Sequence, residues 1–268
     1  MEPKVVSMTA NAGRVHVGCS GWVYRHWKGG FYPAELPQKR WFEHYARDFD
    51  TVEINASFYR VPLVSTFDGW REKAPPGFRY AVKANRFMTH MKKLIDCEVP
   101  LAEFIDLARR LGPTLGPILY QLPPSLHLDL ARLEAFLKRL PGDLEHVVEF
   151  RHKSWYDDDV LALLDRHGAG FVSHDLKGLI SPRWASGRTA YVRFHGTGGK
   201  YRGRYSDEAM ADWADWLIEQ RAAGRSAWAY FNNDIGGDAI EDARTLERLV
   251  GERGGEQVVE PADRLARV

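Results

Sequence analysis

Eight short β-rich runs recur between Val15 and about Val250, and a segment with helical periodicity follows most of them. Parallel neighbours in a sheet need a crossover connection, so alternating strands and helices predict a parallel sheet. Eight such units in about 235 residues predict a single closed (β/α)8 barrel of the TIM type, an α/β fold. The predicted strands are 15–20, 51–57, 78–85, 118–122, 146–151, 170–175, 190–195 and 227–232. The predicted helices are 38–48, 64–73, 101–111, 129–140, 157–167, 206–223 and 238–250.

Residues 1–13 and 252–268 lack clear periodicity, and we interpret them as tails on either side of a barrel domain at 14–251. Two helix starts carry capping signals. Ser206 has Glu208 close behind it, and Asp238 is followed three residues later by Glu241.

Five of the strands alternate apolar residues with ionisable or amide residues near the end of the run, at 51–55, 81–85, 147–151, 191–195 and 228–232. Strand side chains change face at every residue, so the polar members of each strand share one face. An open doubly wound sheet is the alternative, but its central strands should be almost wholly apolar. The barrel accounts better for the charges. Barrel enzymes build their sites at the C-terminal strand ends, where we expect Glu53, Asn55, Lys83, Glu149, Arg151, Arg193, His195 and Asn232.

Three of these residues are candidate catalytic groups. Glu53 and Glu149 can divide acid and base roles, because their surroundings can separate their pKa values. His195 precedes a glycine at the predicted mouth and can exchange protons near neutral pH. The alternative is a structural layer in which both glutamates pair with nearby cations and His195 is a hydrogen-bonded wall residue.

A glycine-rich segment at 196–205 follows the seventh strand and contains four glycines with Lys200, Tyr201, Arg202 and Arg204. Phosphate sites in TIM-type barrels are frequently made by the loops after strands seven and eight. Glycines let backbone N–H groups approach an anion closely. The segment therefore predicts an anionic ligand, with a solvated surface loop as the alternative.

Aromatic residues cluster after strands one, two and five. Trp22 and Tyr59 are candidates for stacking on a substrate, although most of these side chains are expected to form a minor core under the loops. The other aromatic residues of these clusters are Tyr24, Trp27, Phe31, Tyr32, Phe58, Trp155 and Tyr156.

A bound metal is not expected, and neither is another cofactor. The three carboxylates near the mouth, Glu53, Glu149 and Asp175, are balanced by Lys83, Arg151 and Arg193. A multi-metal site needs surplus negative charge. The register of strand six is ambiguous, so His174 and Asp175 cannot both be assigned to the interior.

Composition bounds the environment and the partners. Cys19 and Cys97 are too few for a disulfide framework, and the net charge is only +1. No apolar stretch approaches the roughly 20 residues of a membrane helix. We expect a soluble cytoplasmic protein without a membrane partner, in which any anion binding is local.

Several longer motifs are specific enough to identify a family. They are VGCSGWVYRHWKGGFYP, DTVEINASFYRVP, FRYAVKANRFMTH, ILYQLPPSL, VVEFRHKSWY, YVRFHG and YFNN. Through them the chain resembles the YecE-like family from about Val15 to Val250. The resemblance implies a TIM barrel but no established reaction, and the family has been likened in shape to metal-dependent apurinic endonucleases. It also groups Gln121 with the polar residues above. The chain has Asp234 where histidine is more often expected.

Three functional hypotheses follow from these residues. The favoured one is an enzyme that performs acid–base chemistry on a compact phosphorylated or carboxylated, sugar-like substrate, with hydrolysis, elimination and isomerisation all open. The second is a phosphodiester-cleaving or nucleic-acid-binding barrel that stacks bases on Trp22, Trp27 and Tyr59. The third is a non-catalytic module that binds a metabolite.

Overall fold

A computed structural model describes residues 14–199 and 201–254 of the chain. The predicted N-terminal tail, Lys200 and residues 255–268 lie outside the described residues. Eight strands, each parallel to its neighbours, pair in chain order, and the first pairs with the eighth to close the barrel. The predicted fold is therefore confirmed. The strands are β1 Val15–Cys19, β2 Thr51–Ile54, β3 Arg79–Lys83, β4 Leu115–Gln121, β5 His146–Glu149, β6 Gly170–His174, β7 Thr189–Phe194 and β8 Ser226–Phe231.

Helices cover the outside of the sheet after most strands. They are α1 Trp41–Asp48, α2 Ala56–Tyr59, α3 Val64–Lys73, α4 Glu98–Arg109, α5 Leu130–Leu137, α6 Asp158–Arg166, α7 Asp207–Ala222 and α8 Asp238–Gly254. Short 3-10 turns occur at Arg25–Trp27, Gln38–Arg40, Gly112–Thr114, Lys153–Trp155 and Ile235–Gly237, and a π-helical turn occurs at Phe87–Met91.

Side-chain caps fix the starts of three helices. Asp129 accepts a hydrogen bond from the Arg132 amide, and Asp157 accepts one from the Asp159 amide. Ser206 accepts one from the Ala209 amide, so the predicted start of α7 is confirmed. These contacts satisfy backbone N–H groups that lack partners within the helix.

The second strand is shorter than the sequence pattern predicts. It ends at Ile54, and residues 56–59 form α2 instead of extending the strand. Asn55 sits at the N-cap of α2, but its side chain makes no cap there. It turns into the barrel and donates to Glu53.

Two layers of side chains fill the barrel interior. The lower layer is a buried, largely apolar cluster of Ala81, Leu119, Val147, Val172, Tyr191, Trp228 and Tyr230. Two residues beyond each member of this cluster except Trp228, on the same face of the sheet, the side chains become polar. These are Lys83, Gln121, Glu149, His174, Arg193 and Asn232. The apolar layer therefore supports a polar layer at the C-terminal ends of the strands.

The lengths and polarity of the helices in the described part of the chain bear on membrane insertion. None of them is long and apolar enough to cross a lipid bilayer.

Candidate active site

A cavity of about 860 Å³ opens at the C-terminal ends of the strands. It is large enough for a small metabolite. Eight of the residues predicted for the site line it together: Asn55, Tyr59, Lys83, Gln121, Arg151, Arg193, Tyr201 and Asn232.

Arg193 joins the two predicted catalytic carboxylates across the barrel. Its two terminal nitrogens lie 2.7 Å from Oε1 of Glu53 and 2.7 Å from Oε2 of Glu149. The three side chains are at most 1% exposed. A planar guanidinium suits this geometry, because its donors form a rigid fork.

The hydrogen bonds and the ion pair that Glu53 makes with described residues favour its ionised form. Oε1 also accepts from Ser20 Oγ at 2.9 Å and from Asn55 Nδ2 at 3.0 Å, while Oε2 accepts from Tyr191 Oη at 2.7 Å. Burial alone would raise the pKa of Glu53. The Arg193 charge and the hydrogen bonds outweigh burial and hold the pKa below its ordinary value.

Glu149 is held in the same manner. Oε2 accepts from Gln121 Nε2 at 3.0 Å in addition to Arg193, and Oε1 forms an ion pair with Arg151. Burial again opposes ionisation, but the charges of Arg151 and Arg193 place the pKa well below its ordinary value. At neutral pH, both glutamates are therefore carboxylates, and each of them is paired with at least one arginine.

His195 is a neutral ring in this arrangement. Arg151 can only donate, so Nε2 of His195, 3.0 Å away, accepts, and the ring proton is assigned to Nδ1. Nδ1 lies 3.5 Å from Oδ1 of Asp175. Burial lowers the pKa of His195 more than Asp175 raises it.

Lys83 contrasts with the two arginines beside it. It is 7% exposed, and no carboxylate oxygen of residues 14–199 and 201–254 lies within 4.0 Å of its Nζ. Nζ instead lies 4.1 Å from the centre of the Phe58 ring. Burial, followed by repulsion from Arg193, lowers the pKa of Lys83 to about 7, although both glutamates favour its charged form.

The π-helical turn after β3 adds a group that the sequence patterns did not indicate. His90 lines the cavity and packs edge-on against Phe58, with ring centres 5.0 Å apart. Burial and the charges of Lys83 and Arg86 lower its pKa to about 4, so the ring is neutral. Turns of this kind occur frequently at functional sites.

His174 and Asp175, whose register the sequence left ambiguous, occupy different positions at the end of β6. His174 shares the inward face of Val172 and is buried, with Nε2 3.0 Å from the Phe150 carbonyl. Asp175 lies just beyond the strand, where Oδ1 accepts from the His195 amide at 2.7 Å and Oδ2 accepts from Tyr205 Oη. Asp175 does not line the cavity but fixes the backbone beneath it.

The glycine-rich loop has a defined conformation in its described residues. Gly196 has φ 93°, and a Cβ there would meet the Arg202 carbonyl oxygen at 2.2 Å. The Gly203 amide donates to Asp238 at the start of α8, at 2.9 Å. Tyr201 lines the cavity with φ 57°, a conformation uncommon for residues other than glycine. Arg204 points away and pairs with Asp242 at 3.1 Å.

Six predicted site residues of the described chain do not line the cavity, and Asp175 is one of them. Glu53, Glu149 and His195 are buried directly below or behind the lining side chains. Trp22 packs against Phe42 and Trp70 with ring centres 5.4 and 6.4 Å apart, and Arg202 also lies outside the lining. Lys200 lies outside the described residues.

The sequence patterns missed several lining residues because they lie in irregular segments. These are Ser20, Arg86, His90, Pro124 and the segment 176–179. Asp234, singled out only as a family difference, also lines the cavity, and burial raises its pKa.

Metal ligands do not converge in the described part of the chain. No group of three or more histidine, cysteine, aspartate or glutamate side chains there could hold a metal ion. The donor set explains this result, because the oxygens of Glu53 and Glu149 already face arginines.

The fold and the site define a TIM-type barrel protein with a polar cavity at the C-terminal strand ends. The chain belongs to the family described as "Protein of unknown function DUF72", whose sequence model matches residues 16–266. Relatives include UPF0759 protein YunF of Bacillus subtilis, 26% identical over 88% of this chain and 94% of YunF. UPF0759 protein YecE of Escherichia coli is 33% identical over 42% of each chain. The predicted resemblance to the YecE-like family is confirmed.

Solved structures show the same fold. A DUF72 family protein from Thermotoga maritima matches with a TM-score of 0.80 at 28% identity, covering 88% of this chain and 98% of that one. A DUF72 family protein from Enterococcus faecalis matches with a TM-score of 0.77 at 18% identity, covering 89% of this chain and 96% of that one.

Proposed function

We propose that this protein is an enzyme that binds a compact phosphorylated or carboxylated, sugar-like substrate and acts on it by acid–base chemistry without a metal. The observation that carries the proposal is the charge of the cavity wall. Its formally charged lining groups are five cations and one carboxylate: Lys83, Arg86, Arg151, Lys177, Arg193 and Asp234.

The buried carboxylates do not cancel this bias where a ligand would sit. Glu53 and Glu149 are fully buried and point their oxygens at Arg193 and Arg151. In the described part of the chain, no carboxylate oxygen lies within 4.0 Å of the side-chain nitrogens of Arg86 or Lys177. An anion that enters the cavity therefore meets cations with unused donors.

Proton transfer has three candidate groups at the cavity surface. Lys83 titrates near neutral pH, Asp234 has a raised pKa, and the neutral His90 ring can accept a proton. A general acid or base works best when its pKa lies near the working pH. Glu53, Glu149 and His195 then position Arg193 and Arg151, because each of them contacts one or both guanidiniums.

Calorimetric binding of ribose 5-phosphate and ribose tests the anion site. We expect ribose 5-phosphate to bind at least tenfold more tightly than ribose. Arg86→Gln should weaken the phosphate ester about tenfold, since it removes one charged donor. Arg166→Gln, on the outer helix α6, is the matched control and should change nothing. Equal affinity for the two sugars would contradict the proposal.

A nucleic-acid substrate is less well supported by the aromatic residues. Trp27 is 1% exposed, and Trp22 packs edge-on against Phe42 of α1 and Trp70 of α3, so neither presents a ring face to the cavity. Tyr59 alone of the three predicted stacking residues is exposed. Binding of single-stranded DNA at different salt concentrations tests this alternative. It would replace the proposal if the DNA bound and its affinity fell steeply between about 50 and 200 mM salt, as expected for several contacts with phosphates.

A further inference from the structure

Lys83 has surroundings that anion binding alone does not require. Its amine faces the cavity from the inner side of β3 and is 7% exposed, with the Phe58 ring 4.1 Å beneath Nζ. Arg86 and Lys177 are exposed on the same wall and can hold an anion without burying a cation. The structure therefore needs another reason for a buried lysine at this position.

The neighbouring charges fix the state of the amine. Glu53 from β2, Glu149 from β5 and Arg193 from β7 act on Lys83, together with Arg151 just beyond β5. His90 and Arg86 come from the turn after β3. The arginines occupy the carboxylates, so Nζ has no ion pair of its own within the described residues. Burial leaves the amine with a pKa of about 7.

A neutral amine in a cavity is a nucleophile. At pH 7, about half of the Lys83 amines are neutral, compared with about one in three thousand for an ordinary lysine. Lysines activated by desolvation and by neighbouring cations are those that form Schiff bases with carbonyl substrates.

We infer that Lys83 is a nucleophilic catalytic residue and that the anionic substrate carries an aldehyde or ketone, which Nζ converts into a protonated Schiff base. This inference rests on the proposed function and narrows its substrate class to small phosphorylated or carboxylated carbonyl compounds.

The step balances with groups at the site. Nζ donates its lone pair to the carbonyl carbon, the C=O π bond breaks, and a proton passes from nitrogen to oxygen to give a carbinolamine. The C–O bond then breaks with delivery of one proton from a general acid in the cavity or from the solvent. The products are one water molecule and an iminium ion. Glu53 and Glu149 stabilise its positive charge through space, and the iminium can accept electrons from an adjacent C–H or C–C bond.

Reductive trapping tests the inference. The protein is incubated at pH 7 with glycolaldehyde phosphate, pyruvate or neutral glycolaldehyde, reduced with sodium cyanoborohydride, and mapped by peptide mass spectrometry. We expect at least one anionic probe to add its mass less one oxygen at Lys83, at least tenfold faster than at the exposed Lys39. Lys83→Arg and Lys83→Met should abolish this adduct, whereas Lys39→Arg should leave it unchanged.

If no probe forms an adduct, either the probes do not fit the cavity or the amine is unreactive. Formaldehyde distinguishes these two explanations, because it is small enough to reach any accessible amine. The inference would be overturned if formaldehyde methylated Lys83 no faster than Lys39 at pH 7 while the protein still bound ribose 5-phosphate. That result would leave the anion site intact. A second result would contradict the anionic substrate class and with it the proposed function. In that result, neutral glycolaldehyde would form the Lys83 adduct as fast as the anionic probes do, and saturating inorganic phosphate would not suppress it. Thermal unfolding of each variant checks that it is folded.

Discussion

Nζ of Lys83 lies 4.1 Å from the centre of the Phe58 ring, and both side chains line the cavity. Arg193 is buried at the same level of the barrel but holds a carboxylate at each terminal nitrogen. Arg193 is therefore paired with two carboxylates, whereas Lys83 is buried against an aromatic ring without a carboxylate partner among the described residues. This asymmetry distinguishes a positioning arginine from a reactive lysine.

The depressed pKa of Lys83 makes stability depend on pH. The unfolded chain binds this proton up to about pH 10.5 and the folded chain only up to about pH 7, so the free energy of unfolding should rise between these values. The rise attributable to Lys83 is on the order of 4 kcal/mol. We expect Lys83→Met to remove it, as measured by urea unfolding at pH 7 and pH 10. An identical pH slope in wild type and variant would contradict the assignment.

Removal of Arg193 should be severely destabilising. Arg193→Met leaves Glu53 without its main counter-charge and Glu149 with one cation fewer in a buried layer, and breaking such a pair costs about 3–5 kcal/mol. Arg109→Met removes an exposed ion pair with Asp143 and should cost at most about 1 kcal/mol. Chemical unfolding compares the two variants. Equal losses would show that the buried layer is not held by Arg193.

Acid should weaken the fold through Glu149. Its pKa lies well below the ordinary value, so its contribution to stability is complete above about pH 4.5 and is lost as the pH falls below that. Glu149→Gln should flatten the dependence of unfolding free energy on pH below 4.5. The exposed Glu103→Gln serves as the control and should keep the wild-type slope; a Glu149→Gln slope as steep as wild type would count against the buried ion pairs.

The loop after β7 should tolerate no side chain at Gly196. A Cβ there would collide with the Arg202 carbonyl, and φ is 93°. We expect Gly196→Ala to displace Tyr201 and weaken ribose 5-phosphate binding about tenfold or more, with most of the global stability kept. Gly142→Ala, where nothing lies within 4 Å of the added carbon, should bind normally. Calorimetry distinguishes these outcomes, and unchanged affinity in Gly196→Ala would separate the loop from the site.

The alternation of strand-like and helix-like segments predicts the barrel, and the alternation of apolar and polar residues within the strands predicts the convergence of their polar ends. Strand periodicity determines which face a side chain occupies, so Lys83, Glu149 and Arg193 could be placed at one rim. Periodicity does not determine which cation takes which carboxylate. The unpaired state of Lys83 therefore emerged only from the three-dimensional distances.

The irregular segments resisted prediction for a different reason. His90 lies on a π-helical turn. Asp234 follows β8 in a loop whose path depends on tertiary contacts, including hydrogen bonds between its carbonyl oxygen and the side chains of His26 and Trp27. No short-range period marks such residues. Trp22 shows the converse, since this aromatic residue near the mouth packs against Phe42 of α1 and Trp70 of α3 and does not line the cavity.

The most direct measurement is the titration of Lys83 by NMR of the free protein, with 13C-labelled lysine side chains and the Lys83 signal assigned from Lys83→Arg. A midpoint near pH 7, well separated from exposed lysines such as Lys39, is the result expected for a buried amine without an ion pair. A midpoint near pH 10 would contradict the account, because Lys83 would then be a permanent cation and no nucleophile at neutral pH.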